Sequence, residues 1–232
     1  MLFSLVYWYR VIRIIRTIRI FVSCYMELPK PIQNFIKTFS RIPGIGPRQA
    51  MRVAFWFLHQ PQAKQIEFSN ALTNLSTKIK LCVDCFLPFE QKAKETLCEI
   101  CRNPQRDHST ICVVEKETDL FSLEKTNKYK GIYHILGGLL SEIDENKKRE
   151  ISITPLVERI KTSFKTKKPI KEIILALSPT SEGNLTTYYL EKTIKDLKLN
   201  IKITKLARGL PHGGEVEFAD SETLINALEG RK

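Results

Sequence analysis

The stretch Leu81-Cys82-Val83-Asp84-Cys85, followed by Leu97-Cys98-Glu99-Ile100-Cys101, decides how the rest of the chain is organised. It contains two Cys-x-x-Cys pairs with twelve residues between them. Each pair can place two thiolates on one side of a tight turn, and two such turns form the tetrahedral four-sulfur site that Zn²⁺ prefers. The pairs predict a structural zinc ion, because four thiolates leave no open coordination position for catalysis. The predicted ligands are Cys82, Cys85, Cys98 and Cys101.

Two disulfides in a secreted scaffold are the alternative to this zinc site. Six Cys in 232 residues are few for such a scaffold, and the apolar fraction of 43% is that of an ordinary globular protein. A reducing cytosol therefore fits the composition best. His108 follows the block, but one His beside a complete set of four Cys is more often a surface residue than a ligand.

The positive charge is concentrated ahead of the cysteines. The net charge is +12, of which residues 1–25 supply +4 and residues 26–81 supply +6, whereas residues 111–232 supply only +3. A basic domain of this kind indicates a polyanion partner, most often nucleic acid. The alternative is a basic surface that serves solubility alone.

The apolar run in residues 1–25 is interrupted at every third position by an arginine, at Arg10, Arg13, Arg16 and Arg19. Each Arg at the centre of a bilayer costs about 2.5–3.5 kcal/mol, so the segment is too charged to span one. It also lacks the layout of a signal peptide. It can be a membrane-surface helix, an arm on nucleic acid, or the product of a start codon upstream of Met26. The last is favoured, and no stable membrane association is expected.

Residues 31–80 carry apolar side chains at three- and four-residue spacing, which predicts three helices. The third helix is expected to turn its apolar side inward, at Ile66, Leu72, Leu75 and Ile79. The first two helices are joined by residues 42–48, Ile-Pro-Gly-Ile-Gly-Pro-Arg. Residues 31–80 are therefore predicted to be a small helical domain with a Gly-rich hairpin, a helix-hairpin-helix.

Gly44 and Gly46 allow this hairpin to turn tightly with its N–H groups pointing outward, at the start of a helix whose dipole favours an anion. Arg48 and Arg52 are four residues apart and share one helix face, where they can bind phosphates without reading bases. Lys37 and Arg41 either extend this patch or are solvated surface. The alternative is an ordinary turn between two helices.

After the cysteines, short apolar runs alternate with helical segments, which predicts a parallel sheet covered by helices. Strands are predicted at residues 111–114, 132–136, 173–177 and 201–206, with helices at 119–123, 155–164 and 187–197. A short strand at 215–218 and a helix at 223–228 close the chain.

Carboxylates at the ends of parallel strands are where such sheets form their sites. Glu115 follows the first strand, and a loop containing Ser178, Thr180 and Glu182 follows the third. Two-metal phosphoryl transfer would need several acids here, so these two glutamates make only a weak candidate Mg²⁺ site. No Gly-x-x-x-x-Gly-Lys-[Ser/Thr] loop occurs, and ATP hydrolysis is not supported.

Together these motifs resemble the RecR family of bacterial recombination mediators. The order is Ile-Pro-Gly-Ile-Gly-Pro, the four cysteines, Ile-Cys-Val-Val-Glu, Pro-Thr-x-Glu-Gly and Gly-x-Pro-x-Gly-Gly-Glu, and it covers residues 26–232. The resemblance implies an α+β chain of several parts: a helix-hairpin-helix domain (26–81), a four-cysteine zinc finger (82–108), an α/β Toprim domain with a mainly parallel sheet (109–206) and a C-terminal strand-helix assembly segment (207–232). Residues 1–25 have no counterpart.

The resemblance also bears on catalysis. Catalytic Toprim domains carry Asp-x-Asp-x-Glu-Gly, whereas Ser178 and Thr180 stand here in place of the two Asp, and Asn184 occupies a position that is often Glu. The family pattern therefore implies a binding fold without the reaction, and no enzyme activity. The rival interpretations are a Mg²⁺-dependent Toprim nuclease or topoisomerase-like enzyme and a sequence-specific zinc-finger regulator.

The resemblance implies, finally, a role in recombinational DNA repair. Family members assemble as a homotetramer ring that can encircle DNA, and they act with RecO and RecF to load the RecA recombinase on single-stranded or gapped DNA. Here it implies sequence-independent DNA contacts at Arg48 and Arg52, one zinc ion per chain, and a bacterial cytoplasmic protein that joins the nucleoid when bound to DNA. Residues 209–220 are expected to help close the ring.

Overall fold

The computed structural model describes residues 28–92, 94–140, 151–166 and 169–231. The chain divides into two compact units, Met1–Thr73 and Asn74–Lys232. The extension predicted at residues 1–25 lies outside the described residues. Among those residues, no helix combines the length and the apolar character needed to cross a membrane.

The described part of the first unit, from residue 28 onward, is helical, as predicted. Its helices are α1 (Lys30–Phe39), α2 (Pro47–Leu58) and the greater part of α3 (Gln62–Lys78). Ala50 and Ala54 form the buried face of α2. Phe35 of α1 stacks at 6.4 Å from Phe57 of α2, so small residues let two helices approach while aromatic rings fill the space between them.

The side of α3 that was predicted to face inward is exposed instead. Ile66, Leu72 and Leu75 are 52%, 59% and 64% exposed, and Ile79 belongs to the strand that follows. This prediction is wrong because periodicity marks an amphipathic helix but supplies no partner for it. Phe68 of the same helix does meet α2, where its ring lies edge-on to Trp56 at 5.5 Å.

The cysteine block opens the second unit. Strand β1 (Ile79–Leu81) pairs antiparallel with β2 (Pro88–Glu90), and the four-residue helix α4 (Glu99–Arg102) follows. The first cysteine pair lies in the turn between the strands, and the second lies at the start of α4. The antiparallel pair therefore fixes the base of a small loop that carries the four cysteines, here called the cysteine loop (residues 82–101).

A four-stranded parallel sheet forms the body of the second unit, as the alternating pattern predicted. The strands are β3 (Asp107–Val114), β4 (Gly131–Ile135), β5 (Glu172–Ala176) and β6 (Lys202–Lys205), in the order β4-β3-β5-β6. The helices between them are α5 (Glu117–Lys125), α6 (Ile153–Lys165) and α7 (Ser181–Asp196).

The two faces of this sheet have different partners, because side chains alternate along a strand. Ile111 and Val113 of β3 belong to a core that includes Leu156 and Ile160 of α6. Cys112 and Val114 belong to a second core, which includes the four cysteines of the cysteine loop and residues of α5. The loop is therefore part of the fold of the sheet.

The C-terminal segment contains a 3₁₀ turn (Val216–Phe218) and helix α8 (Ser221–Glu229). The strand predicted at residues 215–218 is therefore wrong. The N–H of Phe218 donates to the carbonyl of Glu215 at 3.2 Å, and no strand in the described residues lies alongside to pair with this segment. The helix predicted next to it is confirmed.

Candidate metal centre and nucleic-acid interface

The four predicted ligands form one buried cluster. Their sulfur atoms all lie within 4.8 Å of one another, and each residue is no more than 5% exposed. The Sγ atoms of Cys85 and Cys98 are 3.5 Å apart. A regular tetrahedral site with Zn–S bonds of ~2.3 Å would separate its sulfurs by about 3.8 Å. All four are free thiols, which contradicts the disulfide alternative, and the cluster can bind a metal ion.

Local hydrogen bonds explain why each cysteine pair converges. The N–H of Cys82 donates to the carbonyl of Leu87, and the N–H of Phe86 donates to the carbonyl of Cys82, both at 3.0 Å. Phe86 has a φ of 64°, in the left-handed region that closes such a turn. The carbonyl of Cys98 accepts the N–H of Arg102 at 3.0 Å, which starts helix α4. The two cysteines of each pair therefore lie in the same turn of the backbone.

Without a cation the four thiols cannot all ionise. A hydrogen bond with Cys101, joined by one with Cys85, lowers the pKa of Cys98 to about 7, although the hydrogen bond with Cys82 acts in the opposite direction. Such hydrogen bonds, first with Cys101, also hold the pKa of Cys82 far below its usual range, while hydrogen bonds with its neighbours, first Cys82, raise the pKa of Cys101. A bound dication would stabilise all four thiolates together. His108 is not part of the cluster, and its Nε2 lies 3.0 Å from the carbonyl oxygen of Asn103.

Arg159 of helix α6 contacts this cluster and was not predicted from the sequence. Its Nη1 donates to the carbonyls of Asp84 and Tyr133, at 2.8 and 2.7 Å, and its Nη2 lies 3.9 Å from Cys101 Sγ. The partners are up to 75 residues away in sequence, so no local spacing points to them. The available signal is a charged residue directly before the fully buried Ile160.

The cysteine loop also lies against the edge strand β4. The N–H of Ile135 donates to the carbonyl of Cys85 at 3.0 Å, and the carbonyl of Tyr133, two residues earlier, accepts from Arg159. Among the described strands, β4 pairs with β3 alone, so these groups point away from the sheet. Loop and strand are thus joined through backbone groups that face away from β3.

The hairpin of the first unit has the geometry that its glycines suggested. Gly44 has a φ of 81°, which only glycine adopts at little cost, and the N–H of Ile45 closes the turn on the carbonyl of Ile42 at 3.0 Å. Gly46 is the extended residue before α2, but its N–H donates to Gln49 Oε1 at 2.9 Å. That donor is therefore already paired, and a phosphate would use other groups of the helix start.

The arginines beside the hairpin are available to a ligand. Arg48 and Arg52 are exposed one turn apart on α2, and the described part of the chain offers neither a salt bridge nor a side-chain hydrogen bond to them. Lys37 in the last turn of α1 and Arg41 just after it are also exposed. Their contact with DNA stays a prediction.

Where the structure describes them, the acids of the second unit form no group of three or more ligating side chains, and the two-glutamate Mg²⁺ site stays a prediction. Glu115 follows β3, where its Oε1 lies 3.8 Å from the Nζ of Lys116, and Glu182 is exposed in the first turn of α7. Within the described residues, the four cysteines are the only group of three or more ligating side chains. Thr180 Oγ1 accepts the N–H of Gly183 at 3.1 Å, so this hydroxyl caps α7.

Asn184 has a structural partner that the sequence did not indicate. Its Oδ1 accepts from Arg208 Nη2 at 2.8 Å, while Arg208 Nη1 pairs with Glu222 Oε1 at 3.4 Å. The side chain that stands in place of an acid thus attaches the C-terminal segment to α7.

Comparisons with known proteins match the helical unit, the parallel sheet and the C-terminal segment to separate family models. A family model described as the helix-hairpin-helix of RecR matches residues 32–75, a Toprim domain model matches residues 109–207, and a model of the RecR C-terminal part matches residues 209–232. The recombination protein RecR of Rippkaea orientalis is 43% identical over 202 residues, covering 87% of this chain and 96% of the relative.

Two further relatives agree. The recombination protein RecR of Bifidobacterium adolescentis is 40% identical over 201 residues, covering 87% of this chain and 95% of its own. That of Synechocystis is 40% identical over 202 residues, covering 87% and 82%. Identity at this level over most of both chains shows the family. The chain therefore belongs to the RecR family of recombination proteins.

Proposed function

We propose that this chain is a non-enzymatic DNA-binding clamp in recombinational repair. Membership of the RecR family supports a role in DNA recombination, and the helix-hairpin-helix fits binding to DNA. The observation that carries the proposal is the exposed pair Arg48 and Arg52, one turn apart beside the hairpin. Two guanidinium groups so placed can bind consecutive phosphates of any sequence. Gly44, Gly46, Lys37 and Arg41 complete the proposed surface.

The four-cysteine cluster would hold one structural zinc ion per chain. The burial of Cys82, Cys85, Cys98 and Cys101 supports this assignment, because four thiolates saturate a tetrahedral ion and leave no position for substrate. Zinc here would stabilise the junction between β1, β2 and the sheet. Metal analysis of the purified protein should find about one zinc per chain.

The sheet unit would bind partners without catalysing a reaction. Glu115 and Glu182 lie outside any group of three ligating side chains among the described residues, and Thr180 is used as a helix cap. A weak Mg²⁺ site at these two acids is the remaining possibility. DNA cleavage that needs Mg²⁺ and is abolished by Glu115→Gln would overturn the non-enzymatic assignment.

The clamp would be a ring of four copies that acts with RecO and RecF to load RecA on single-stranded or gapped DNA in the bacterial cytoplasm. Two sets of exposed apolar side chains support self-association, since large exposed apolar areas mark interaction surfaces. One is the side of α3 with Ile66, Leu72 and Leu75, and the other includes Phe218 and Leu228, which are 79% and 62% exposed. The solution mass with and without DNA tests the assembly.

The double substitution Arg48→Ala with Arg52→Ala tests the DNA surface. Each phosphate contact to duplex DNA contributes about 0.9 to the slope of log affinity against log salt, so the variant should bind more weakly and lose about 1.8 from this slope. Lys192→Ala with Lys195→Ala removes two exposed charges from α7 and serves as the matched control. Equal affinity and an equal slope for the arginine variant and the unmodified protein would refute the assignment.

A further inference from the structure

A zinc ion in this cluster would leave a net negative charge in a buried place. Zn²⁺ with four thiolates carries a formal charge of about −2. The four cysteines are at most 5% exposed, so water compensates little of this charge. A buried charge is costly unless a group of opposite sign is close to it. The fold should therefore supply a cation at this point.

Arg159 is a cation held in that position. Its Nη2 lies 3.9 Å from Cys101 Sγ, and its Nη1 is fixed by the carbonyls of Asp84 and Tyr133 at 2.8 and 2.7 Å. Asp84 lies between the two cysteines of the first pair. One guanidinium thus contacts both halves of the cluster, the backbone of one pair and the sulfur of the other, from a helix that follows in sequence.

Three other cations close to the cysteines in sequence are paired with an acid or exposed to solvent. Arg102 follows Cys101 directly, but its Nη1 pairs with Glu95 Oε1. Lys80 and Lys92, near the first pair and the second strand, are exposed to solvent. Arg159 is half-buried, so its attraction to a thiolate is screened less than theirs.

We propose that Arg159 is the positioning and charge-compensating residue of the metal centre. Its guanidinium holds the first turn by the carbonyl of Asp84, offsets the negative charge at Cys101, and joins both to strand β4 through Tyr133. Zinc retention then depends on a side chain of helix α6, 58 residues beyond the last ligand. The inference rests on the proposed occupation of the cluster by zinc.

The test measures zinc retention by the full-length chain. Zinc content per folded chain, the rate of zinc transfer to a chromogenic chelator and the zinc affinity by chelator competition are measured at neutral pH. The variants are Arg159→Gln, which removes the charge, and Arg159→Lys, which keeps the charge but lacks the two Nη groups of the guanidinium. Arg106→Gln is the control: Arg106 is also half-buried, but its guanidinium bonds to the carbonyl of Gly131 at 3.1 Å and pairs with Glu124 rather than with a cysteine.

Residues that contact metal ligands typically change affinity by roughly 10–100-fold when replaced. Arg159→Gln should lose zinc affinity by roughly that factor, Arg159→Lys should lie between it and the unmodified protein, and Arg106→Gln should hold zinc normally. If Arg159→Gln does not fold, the intermediate affinity of Arg159→Lys still tests the inference.

Three outcomes would overturn the inference. Unchanged zinc affinity in both Arg159 variants would show that the guanidinium does nothing for the metal. Equal loss in Arg106→Gln would show general destabilisation instead. An unmodified protein that binds no zinc would overturn the metal assignment as well, which separates failure of the proposed cofactor from failure of the role of Arg159.

Discussion

Acid should destabilise the second unit of the chain by protonating one buried histidine. His134 in β4 is fully buried, its Nε2 lies 2.8 Å from the carbonyl oxygen of Ser152, and its ring meets Phe86 edge-on at 5.4 Å. Burial lowers the pKa of His134 from 6.5 to about 4, and the positive charge of Arg159 adds to this effect. Folding therefore requires a neutral imidazole at this position.

The size of the effect follows from that shift. The unfolded chain takes up the proton as pH falls through 6.5, whereas the folded chain resists it until about pH 4. Stability contributed by the neutral ring is thus fully present above the unfolded pKa and is lost as pH falls towards 4. Between about pH 7 and pH 5 the expected loss in unfolding free energy is about 2 kcal/mol.

Urea unfolding at both pH values, with the unmodified chain and His134→Gln compared in saturating zinc, measures this loss. Glutamine can still donate to the carbonyl of Ser152 but does not titrate. Thiolates and carboxylates titrate in both proteins, so their contributions cancel in the difference. The unmodified chain should lose about 2 kcal/mol more than the variant between the two pH values. Equal losses would refute the reasoning.

Two other substitutions test the fold directly. Gly183→Ala would place a Cβ 1.9 Å from the carbonyl oxygen of Ser178, so the backbone must shift at a cost of about 1–3 kcal/mol. Thermal unfolding should show a clear decrease in Tm, whereas Ser181→Ala at an exposed position of the same helix should change it little. Cys98→Ser should reduce folding and bound zinc before it affects DNA contacts, because structural zinc binding is folding energy. A Cys98→Ser chain of unchanged mass and stability that no longer binds DNA in a gel-shift assay would contradict that order.

Features set by local sequence could be predicted, and features set by distant contacts could not. The four strands followed from short apolar runs, and the metal cluster followed from cysteine spacing, because a turn brings two residues of a pair together wherever it lies. The contact of Arg159 with Asp84 and the attachment of Arg208 to Asn184 join residues 75 and 24 positions apart. Neither produces a pattern in sequence.

The two errors have a common physical origin. The apolar side of α3 and the apolar residues at 215–218 were both assigned a partner because their pattern suited one. In the described residues α3 keeps that side exposed, and residues 216–218 form a 3₁₀ turn. A pattern reports what a segment could bury or pair, whereas the rest of the fold decides whether a neighbour is present.

The hydrogen bonds along β4 have a consequence for aggregation. An open strand edge can recruit a strand from another molecule, and repeated recruitment gives insoluble assemblies. Here the carbonyl of Cys85 accepts the N–H of Ile135, and Arg159 occupies the carbonyl of Tyr133. A chain whose cysteine loop unfolds would expose the N–H of Ile135 to its neighbours in the cell. The folded cysteine loop therefore limits aggregation of the protein as well as stabilising its fold.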